Sequence, residues 1–303
     1  MNDNDEDNVE EVEPKKEPLS FEEWLSTSSF HENQHVLPDV DEWSVGEIIQ
    51  HYQEEFEVPD EWLSIVYTNL ENNEQYKHRE NEIFIAASTT KVLIAMIYLD
   101  LIESGEISLE TPIPYAPSMY QEGAGQLTED IQAGLEEESY PLEVVLEDLL
   151  VPSGNIPRQM LVAYYEAHFG NLSEKMAQLL QNVDYSAELF DVNQITAKAL
   201  EEGLLLLLEK ESYQSILEFM RQADEERFFK FYAAPDMPVK HGSLRELRHQ
   251  IGIYEVEGTP MYTLVFMTRN LYDDLGDEFL GKINLQLAVQ AEYQYYVDHF
   301  EEM

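Results

Sequence analysis

The sequence predicts an α/β protein of the α+β type, in which an antiparallel sheet is flanked by helices. Two observations predict it. Short β-rich segments bounded by turn residues stand near both ends of the chain, and the long stretch between them carries helical patterns. Strands joined by short turns pair antiparallel, so we expect the strands within each of these segments to pair in this way.

The first β-rich segment is a hairpin, and a buried helix follows it. Residues 62–70 and 75–79 are the predicted strands, and Glu71-Asn72-Asn73 between them is typical of a turn. Residues 92–102 are apolar on nearly all sides, which indicates a helix buried all round. We expect this helix to end at Glu103-Ser104-Gly105, where the glycine suits a C-cap.

Helical patterns continue through the middle of the chain. The amphipathic run 142–150 precedes Ser153-Gly154-Asn155, which predicts a loop between two helices. Another helix is expected to begin near Thr196. Its apolar run 204–208 is too short to cross a bilayer and indicates a buried helix.

Strands return near the C-terminus. Lys240-His241-Gly242 follows helix-breaking prolines and opens a stretch that leads to a predicted strand at 251–256. A further strand is predicted at 261–267, and a closing helix at 277–300.

A hydroxyl and an amine stand one helical turn apart at the head of the buried helix. Ser88 and Lys91 share a face because they are three residues apart. A serine hydroxyl needs a base, and a lysine whose pKa is lowered by burial can serve. An apolar interior and the positive end of the helix dipole both favour the neutral amine. The pair is a candidate for acyl transfer, while a capped core helix with a surface lysine is the alternative.

Three motifs in a fixed order resemble those of the penicillin-recognising serine acyl enzymes, the superfamily of class A β-lactamases and D-alanyl-D-alanine peptidases. They are Ser88-x-x-Lys91, Ser153-x-Asn155 and Lys240-x-Gly242. The succession of predicted elements over 42–303 also matches that family. The resemblance implies a β-lactamase/transpeptidase-like fold.

The same resemblance implies a division of the chain. An α/β subdomain is expected from residues 42–100 and 238–303, with an all-α subdomain, residues 101–237, inserted between them. Residues 1–41 are expected to form an acidic tether, because residues 1–23 hold ten acids and two lysines. Residues 1–18 are expected to be disordered. Apolar side chains further on are expected to pack onto the body: Phe21, Trp24, Leu25 and Phe30.

The resemblance implies a role for each motif side chain. Ser88 would attack a carbonyl and form an acyl-enzyme, and Lys91 would accept its proton. Ser153 would relay a proton to the leaving nitrogen, and Asn155 would orient the lysine and the substrate amide. Lys240 would help to activate Ser153 and attract a substrate carboxylate.

The implied oxyanion hole consists of the backbone N–H groups of Ser88 and of Ser243, the residue after Gly242. Such preorganised donors stabilise charge that develops in the transition state. The chain departs from the family at His241, where a threonine or serine usually binds the substrate carboxylate. A histidine can still donate a hydrogen bond, but its bulk could narrow the site against penicillin-like ligands.

The sequence does not place a deacylating glutamate. Residues 171–194 contain Glu174 and Glu188, neither in the family's usual setting, and a solvated loop carboxylate is the simpler interpretation of Glu188. We therefore expect slow deacylation of β-lactams. The sequence does not decide whether Arg245 and Arg248 bind a substrate carboxylate or form surface ion pairs.

Composition excludes several other classes of function. The formal net charge of −45 repels duplex nucleic acid and anionic membranes. The chain has no cysteine, so disulfides and thiolate metal sites are excluded. The N-terminal histidines lack tight ligand spacing, so we expect no metal and no other cofactor: His31, His35, His51 and His78. The expected partner is a small-molecule or peptide substrate.

Three functions follow from these patterns. The first is a serine hydrolase or acyltransferase acting on β-lactams or D-alanyl cell-wall peptides. The second is a sensor that is acylated by a β-lactam and retains it, and the third is an inactive scaffold that keeps the motifs as structure. Family members act outside the cytoplasm, so we expect an extracytoplasmic protein whose signal or anchor is absent from this sequence. We expect no direct membrane insertion of the sequence itself.

Overall fold

The computed structural model describes residues 17–37, 43–223, 227–232 and 236–300. Its centre is a five-stranded antiparallel sheet in the order β2-β1-β9-β8-β7. The strands of this sheet are β1 (Leu63–Asn69), β2 (Gln75–His78), β7 (Val239–Leu244), β8 (Leu247–Val256) and β9 (Thr259–Thr268). Two short antiparallel pairs join β3 (Phe84–Ile85) to β6 (Gln194–Ile195), and β4 (Pro112–Pro114) to β5 (Ser139–Pro141).

Helices cover both faces of the sheet, which confirms the predicted fold class. Before and around the first strands lie α1 (Phe21–Leu25), α2 (Val45–Glu55) and α3 (Lys91–Glu103). The middle of the chain contains α4 (Gln126–Gln132), α5 (Leu142–Leu150), α6 (Asn155–His168), α7 (Leu172–Leu179), α8 (Ala187–Asp191), α9 (Ala197–Glu209) and α10 (Gln214–Arg221). Helix α11 (Asp273–His299) closes the fold. None of the helices in the described part of the chain has an apolar stretch long enough to span a bilayer.

Both faces of the sheet are buried. Successive side chains of β9 point to opposite faces and pack into two different parts of the core. Leu264 and Phe266 pack into the core beneath α2 and α11, whereas Val265 and Met267 pack into the core that contains α3 and α9. A strand buried on both faces has an almost continuous apolar sequence. The two-residue turn at 257–258, with positive φ at both positions, joins β8 to β9.

Helix α3 is the buried helix that the sequence predicts. Its side chains from Val92 to Leu99 are all buried. The helix ends where predicted, because Gly105 adopts a φ of +76° and donates its N–H to the Ile102 carbonyl at 2.9 Å. The closing helix also matches its prediction, although it begins four residues earlier, at Asp273.

The described part of the N-terminal segment packs onto the body. Ser20 and Glu23 form a capping box at the start of α1. Trp24 and Phe30 are buried, and the Phe21 ring meets the Tyr293 ring of α11 edge-on at 5.2 Å. The sequence predicts disorder for residues 1–18, but residues 1–16 of that range lie outside the described residues. The division into subdomains stays a prediction.

A buried carboxyl group joins α9 to the sheet. Glu201 accepts a hydrogen bond from the Thr263 hydroxyl at 2.6 Å, and burial raises the pKa of Glu201. The folded state therefore holds this proton more tightly than the unfolded chain does, and stability is lost as the pH rises above the ordinary glutamate pKa. We expect Glu201→Gln, which stays neutral, to be more stable than the unchanged protein at pH 8.5.

The advantage of Glu201→Gln should shrink on going from pH 8.5 to pH 5.5. Urea unfolding at both values measures it, with Glu209→Gln at the exposed end of the same helix as the matched control. The control should stay within the roughly 0.5 kcal/mol of an ordinary surface substitution. An equal effect of both substitutions at both pH values would contradict the prediction.

Candidate active site

A cleft of about 410 Å³ opens where the turn before α3, the α5–α6 loop, α8 and β7 meet. Most of the predicted site residues line it: Ser88, Lys91, Ser153, Asn155, His241 and Ser243. Lys240 and Gly242 lie buried on the same strand, β7. The fold therefore brings all three motifs to one place.

Ser88 lies in a tight turn immediately before α3 rather than inside the helix. The Ser88 carbonyl accepts the N–H of Lys91 at 3.3 Å, and the Thr89 hydroxyl donates to the Ala86 carbonyl at 2.8 Å. Ala87 has a φ of +50°, a left-handed conformation that costs free energy for a residue with a side chain. This turn directs the half-buried Ser88 side chain to the cleft.

A buried histidine fixes the strand that leads into this turn. The Thr268 N–H donates to His249 Nδ1 at 2.9 Å, so the ring proton is on Nε2, which donates to the Ile85 carbonyl at 2.8 Å. Burial lowers the pKa of His249 to about 4, with a backbone hydrogen bond to Ile85 opposing the shift. The neutral ring thus links β8 and β9 to the residues just before Ser88.

Lys91 is buried at the floor of the cleft. Its Nζ lies 2.6 Å from the Ser153 carbonyl oxygen, 3.1 Å from Asn155 Oδ1 and 3.4 Å from Ser153 Oγ. Burial, and then the positive charges of Lys240 and Arg158, lower the pKa of Lys91 to about 6. At neutral pH the amine is therefore mostly neutral. The carbonyl and amide oxygens are its two closest hydrogen-bond acceptors, and the hydroxyl that it contacts is that of Ser153.

The second motif is a strained turn held by Asp148. Ser153 has a φ of +62°, and the Gly154 N–H donates to the Asp148 carbonyl at 2.7 Å. Asp148 Oδ1 accepts the Gln126 N–H at 2.5 Å, and burial raises the pKa of Asp148 to about 6. A Cβ on Gly154 would lie 2.5 Å from Asp148 Oδ2, so the carboxylate fills the space beside the motif.

Strand β7 forms the wall opposite the second motif. A Cβ on Gly242 would lie 3.1 Å from the Ser88 backbone nitrogen and 3.0 Å from Thr89 Cγ2, so a larger residue would push the strand or its neighbours apart. Lys240 is fully buried, and its Nζ donates to the His241 carbonyl at 3.3 Å. The strand thus carries Ser243 to the cleft next to the Ser88 backbone.

A sequence comparison decides the family. The pattern of the beta-lactamase enzyme family matches residues 47–290. The chain belongs to the beta-lactamase enzyme family. This confirms the superfamily that the three motifs predict.

Solved structures share the fold of this beta-lactamase family member at low sequence identity. The structure of PBP-A is 17% identical with a TM-score of 0.65, and the match covers 87% of this chain and 99% of that chain. A beta-lactamase from Sphaerobacter thermophilus is 18% identical with a TM-score of 0.64, over 80% of this chain and 94% of that chain. A leucine-to-glutamate variant of PBP-A, solved as an acyl-enzyme complex with penicillin G, is 18% identical with a TM-score of 0.65. The match covers 88% of this chain and 100% of that chain. A comparison with curated protein sequences found no match.

The two glutamates of residues 171–194, of which the sequence left only Glu188 open as a base, do not line the cleft. Glu174 and Glu188 are exposed, each in the first turn of its helix. Asp191, at the end of α8, lines the cleft instead. Its carboxylate accepts a hydrogen bond from the buried Ser173 hydroxyl.

The two arginines that the sequence left open also lie away from the cleft lining. Arg245 is exposed in the turn between β7 and β8. Arg248 is buried, and its guanidinium donates to the carbonyl oxygens of Leu247, at 2.6 Å, and of Leu244. Arg248 therefore braces this turn. Nowhere in the described residues do three potential ligands gather as a metal site would require.

Sequence reasoning missed three residues that shape the site of this beta-lactamase relative. Arg158 lines the cleft, and its position three residues after Asn155 on a predicted helix was the available signal. Asp148, an acid in the apolar half of an amphipathic helix, was a second signal. His249 carried no local signal, because only the packed sheet shows what its ring nitrogens contact.

Proposed function

We propose that this protein is a serine acyl-enzyme that acts on β-lactams or on D-alanyl cell-wall peptides. The observation that carries the proposal is the buried Lys91 amine, held by Ser153 and Asn155 in a cleft that it shares with Ser88. A lysine that is neutral at physiological pH can act as a base toward a neighbouring hydroxyl.

Acylation then follows a balanced path. Ser88 Oγ attacks the carbonyl carbon of the substrate, and its proton moves to Lys91 Nζ. As the tetrahedral intermediate collapses, the carbon–nitrogen bond breaks, and the leaving nitrogen takes a proton from Ser153 Oγ. Ser153 recovers a proton from Lys91, 3.4 Å away, so the lysine ends neutral. The product is an ester of Ser88.

The strand β7 supplies the electrostatic part of this mechanism. The backbone N–H groups of Ser88 and Ser243 are the proposed oxyanion hole, supported by the close approach of β7 to the Ser88 nitrogen. The positive charge of Lys240 lowers the pKa of Lys91 and so favours the neutral form of Lys91. His241 and the Ser243 hydroxyl, both at the cleft, are the proposed donors to a substrate carboxylate.

We further propose that the acyl-enzyme is slow to hydrolyse when a β-lactam forms it. Among the described residues that line the cleft, the carboxylate is that of Asp191, which already accepts the Ser173 hydroxyl. No glutamate of the described lining stands ready to activate a water molecule. This favours retention of the acyl group, as a peptidase or a sensor would show, over rapid turnover. We place the reaction outside the cytoplasm, where substrates of this class occur.

Intact-protein mass tests this proposal. We expect incubation with penicillins and cephalosporins to give an adduct on Ser88 that persists for minutes to hours. Ser88→Ala should give no adduct, whereas Ser104→Ala, at the exposed far end of α3, should react as the unchanged protein does.

The other outcomes distinguish the alternatives. Hydrolysed drug without a lasting adduct would contradict slow deacylation and indicate a β-lactamase. If neither an adduct nor hydrolysis is found, ester and D-alanyl peptide substrates should be tested next, to distinguish a site that His241 closes to β-lactams from an inactive scaffold. Failure of these substrates as well would identify a scaffold and contradict the proposed chemistry.

A further inference from the structure

Arg158 lies in the cleft on the wall opposite β7. It stands three residues after Asn155 on α6, and both side chains line the cleft because residues at this spacing share a helix face. The Arg158 charge acts on Lys91, where it helps to lower the lysine pKa. Arg158 is therefore close to the reacting groups but has no place in the acylation path described above.

Nothing in the described protein neutralises this arginine. No hydrogen bond or ion pair joins Arg158 to a described residue; its guanidinium lies over the Phe190 ring, 5.5 Å from the ring centre. The sequence has 62 acidic residues and 17 lysines and arginines, so partners are abundant. Other arginines do find them: Arg221 pairs with Glu255 at 2.7 Å, and Arg269 pairs with Glu82 at 2.5 Å.

Leaving Arg158 without a partner is unfavourable. Burial lowers the pKa of Arg158, which reflects the loss of water around the guanidinium. A partly desolvated cation without a counter-ion costs free energy that an anionic ligand would recover. Asp191, the carboxylate in the same cleft, is held by Ser173 instead. The guanidinium thus keeps its paired N–H donors available, and such a fork matches a carboxylate in shape.

We propose that Arg158 binds a carboxylate on the acyl half of the substrate. This rests on the proposed function, in which Asn155 orients the substrate amide and the opposite wall, with Lys240 and His241, receives the carboxylate of the leaving half. Because Arg158 follows Asn155 on the same helix face, the group that it meets belongs to the acyl side. The preferred substrates are then acyl donors that carry a second negative charge.

Two penicillins test the proposal as a matched pair. Carboxybenzylpenicillin differs from benzylpenicillin by one carboxylate on the acyl side chain, next to the amide. The second-order rate constant for acylation of Ser88 is measured with each drug by intact-protein mass at fixed ionic strength. The decisive quantity is the rate constant for carboxybenzylpenicillin divided by the rate constant for benzylpenicillin. This ratio cancels general effects on folding and on the nucleophile.

We expect Arg158→Gln to lower this ratio about tenfold, as the loss of a hydrogen-bonded charge pair would. Arg158→Lys should give an intermediate ratio, since lysine keeps the positive charge but lacks the paired N–H donors of the guanidinium. Lys77→Gln is the matched control, because it removes the same charge from β2, at the sheet edge opposite β7. The control should keep the ratio of the unchanged protein.

An unchanged ratio in Arg158→Gln, or an equal fall in Lys77→Gln, would overturn the proposal. A second measurement separates this failure from failure of the proposed function. In Ser88→Ala, phenylmalonate should raise the unfolding temperature more than phenylacetate does, and adding Arg158→Gln should abolish the difference. If no penicillin acylates Ser88, this difference alone decides whether the anion subsite exists, and its absence refutes the subsite.

Discussion

Replacing Lys91 with methionine is expected to slow acylation of Ser88 by about a thousandfold, within the range of roughly 10² to 10⁴ that a positioned base contributes. Methionine fills a similar volume but cannot accept a proton. The Lys91 amine is also a hydrogen-bond donor to the Ser153 carbonyl, at 2.6 Å, so the second motif loses a contact as well. Acylation by benzylpenicillin, followed by intact-protein mass, measures the loss.

The pH dependence of the unchanged protein shows whether Lys91 acts as a base. Its pKa of about 6 predicts that acylation speeds up as the pH rises through 6, where the amine loses its proton, and is level from pH 7 to 8.5. A lysine with its ordinary pKa of 10.5 would instead give a rate that climbs tenfold for each pH unit across this interval. Such a climb, or a Lys91→Arg variant as fast as the unchanged protein, would contradict the role.

His249 is expected to make the fold sensitive to mild acid. Its pKa is lowered from 6.5 to about 4 by burial, so the unfolded chain takes up this proton first as the pH falls. The contribution to stability is complete above pH 6.5 and is lost as the pH falls toward 4, which amounts to about 2 kcal/mol between pH 7.5 and pH 5. Urea unfolding at these two values provides the free energies.

His249→Gln isolates this effect from the many carboxyl groups that also titrate. Glutamine keeps a donor for the Ile85 carbonyl but cannot be protonated. The unchanged protein should be more stable than the variant at pH 7.5, and the difference should shrink by about 2 kcal/mol at pH 5. A difference that is independent of pH would show that the buried ring does not titrate in this window. Because Ile85 stands three residues before Ser88, the variant should also acylate more slowly at pH 7.5.

The parts of the fold that sequence predicted are those with local causes. The turn residues of the β1–β2 hairpin, the all-round apolar stretch of α3 and the glycine at its end each act within a few neighbours. The motif residues were recognised for a different reason, since the order of three motifs carries information that no single motif holds. Residues far apart in sequence could thus be assigned to one site before any geometry was known.

The remaining parts depend on tertiary packing. Which carboxylate of α8 lines the cleft depends on how the helix packs: Phe190 is buried and Asp191 lines the cleft, whereas Glu188 does not. Arg248 binds the carbonyl oxygens of a neighbouring turn, a contact that no spacing rule predicts. The unpartnered state of Arg158 depends likewise on where the surrounding acids lie in space.

The Asp148 carboxylate has a consequence for how this chain can change. In the family motif Ser-Asp-Asn the middle residue carries a side chain, whereas here that residue is Gly154 and the adjacent space is filled by Asp148. A side chain at 154 would collide with the carboxylate, and loss of the carboxylate alone would leave the Gln126 N–H without its acceptor. Each single substitution is therefore harmful, and a paired change would still leave the new Cβ 2.9 Å from the backbone carbonyl oxygen of residue 148. A side chain at 154 therefore requires a shift of the backbone between α5 and α6, and exchanging the side chain at 148 does not by itself make room for it.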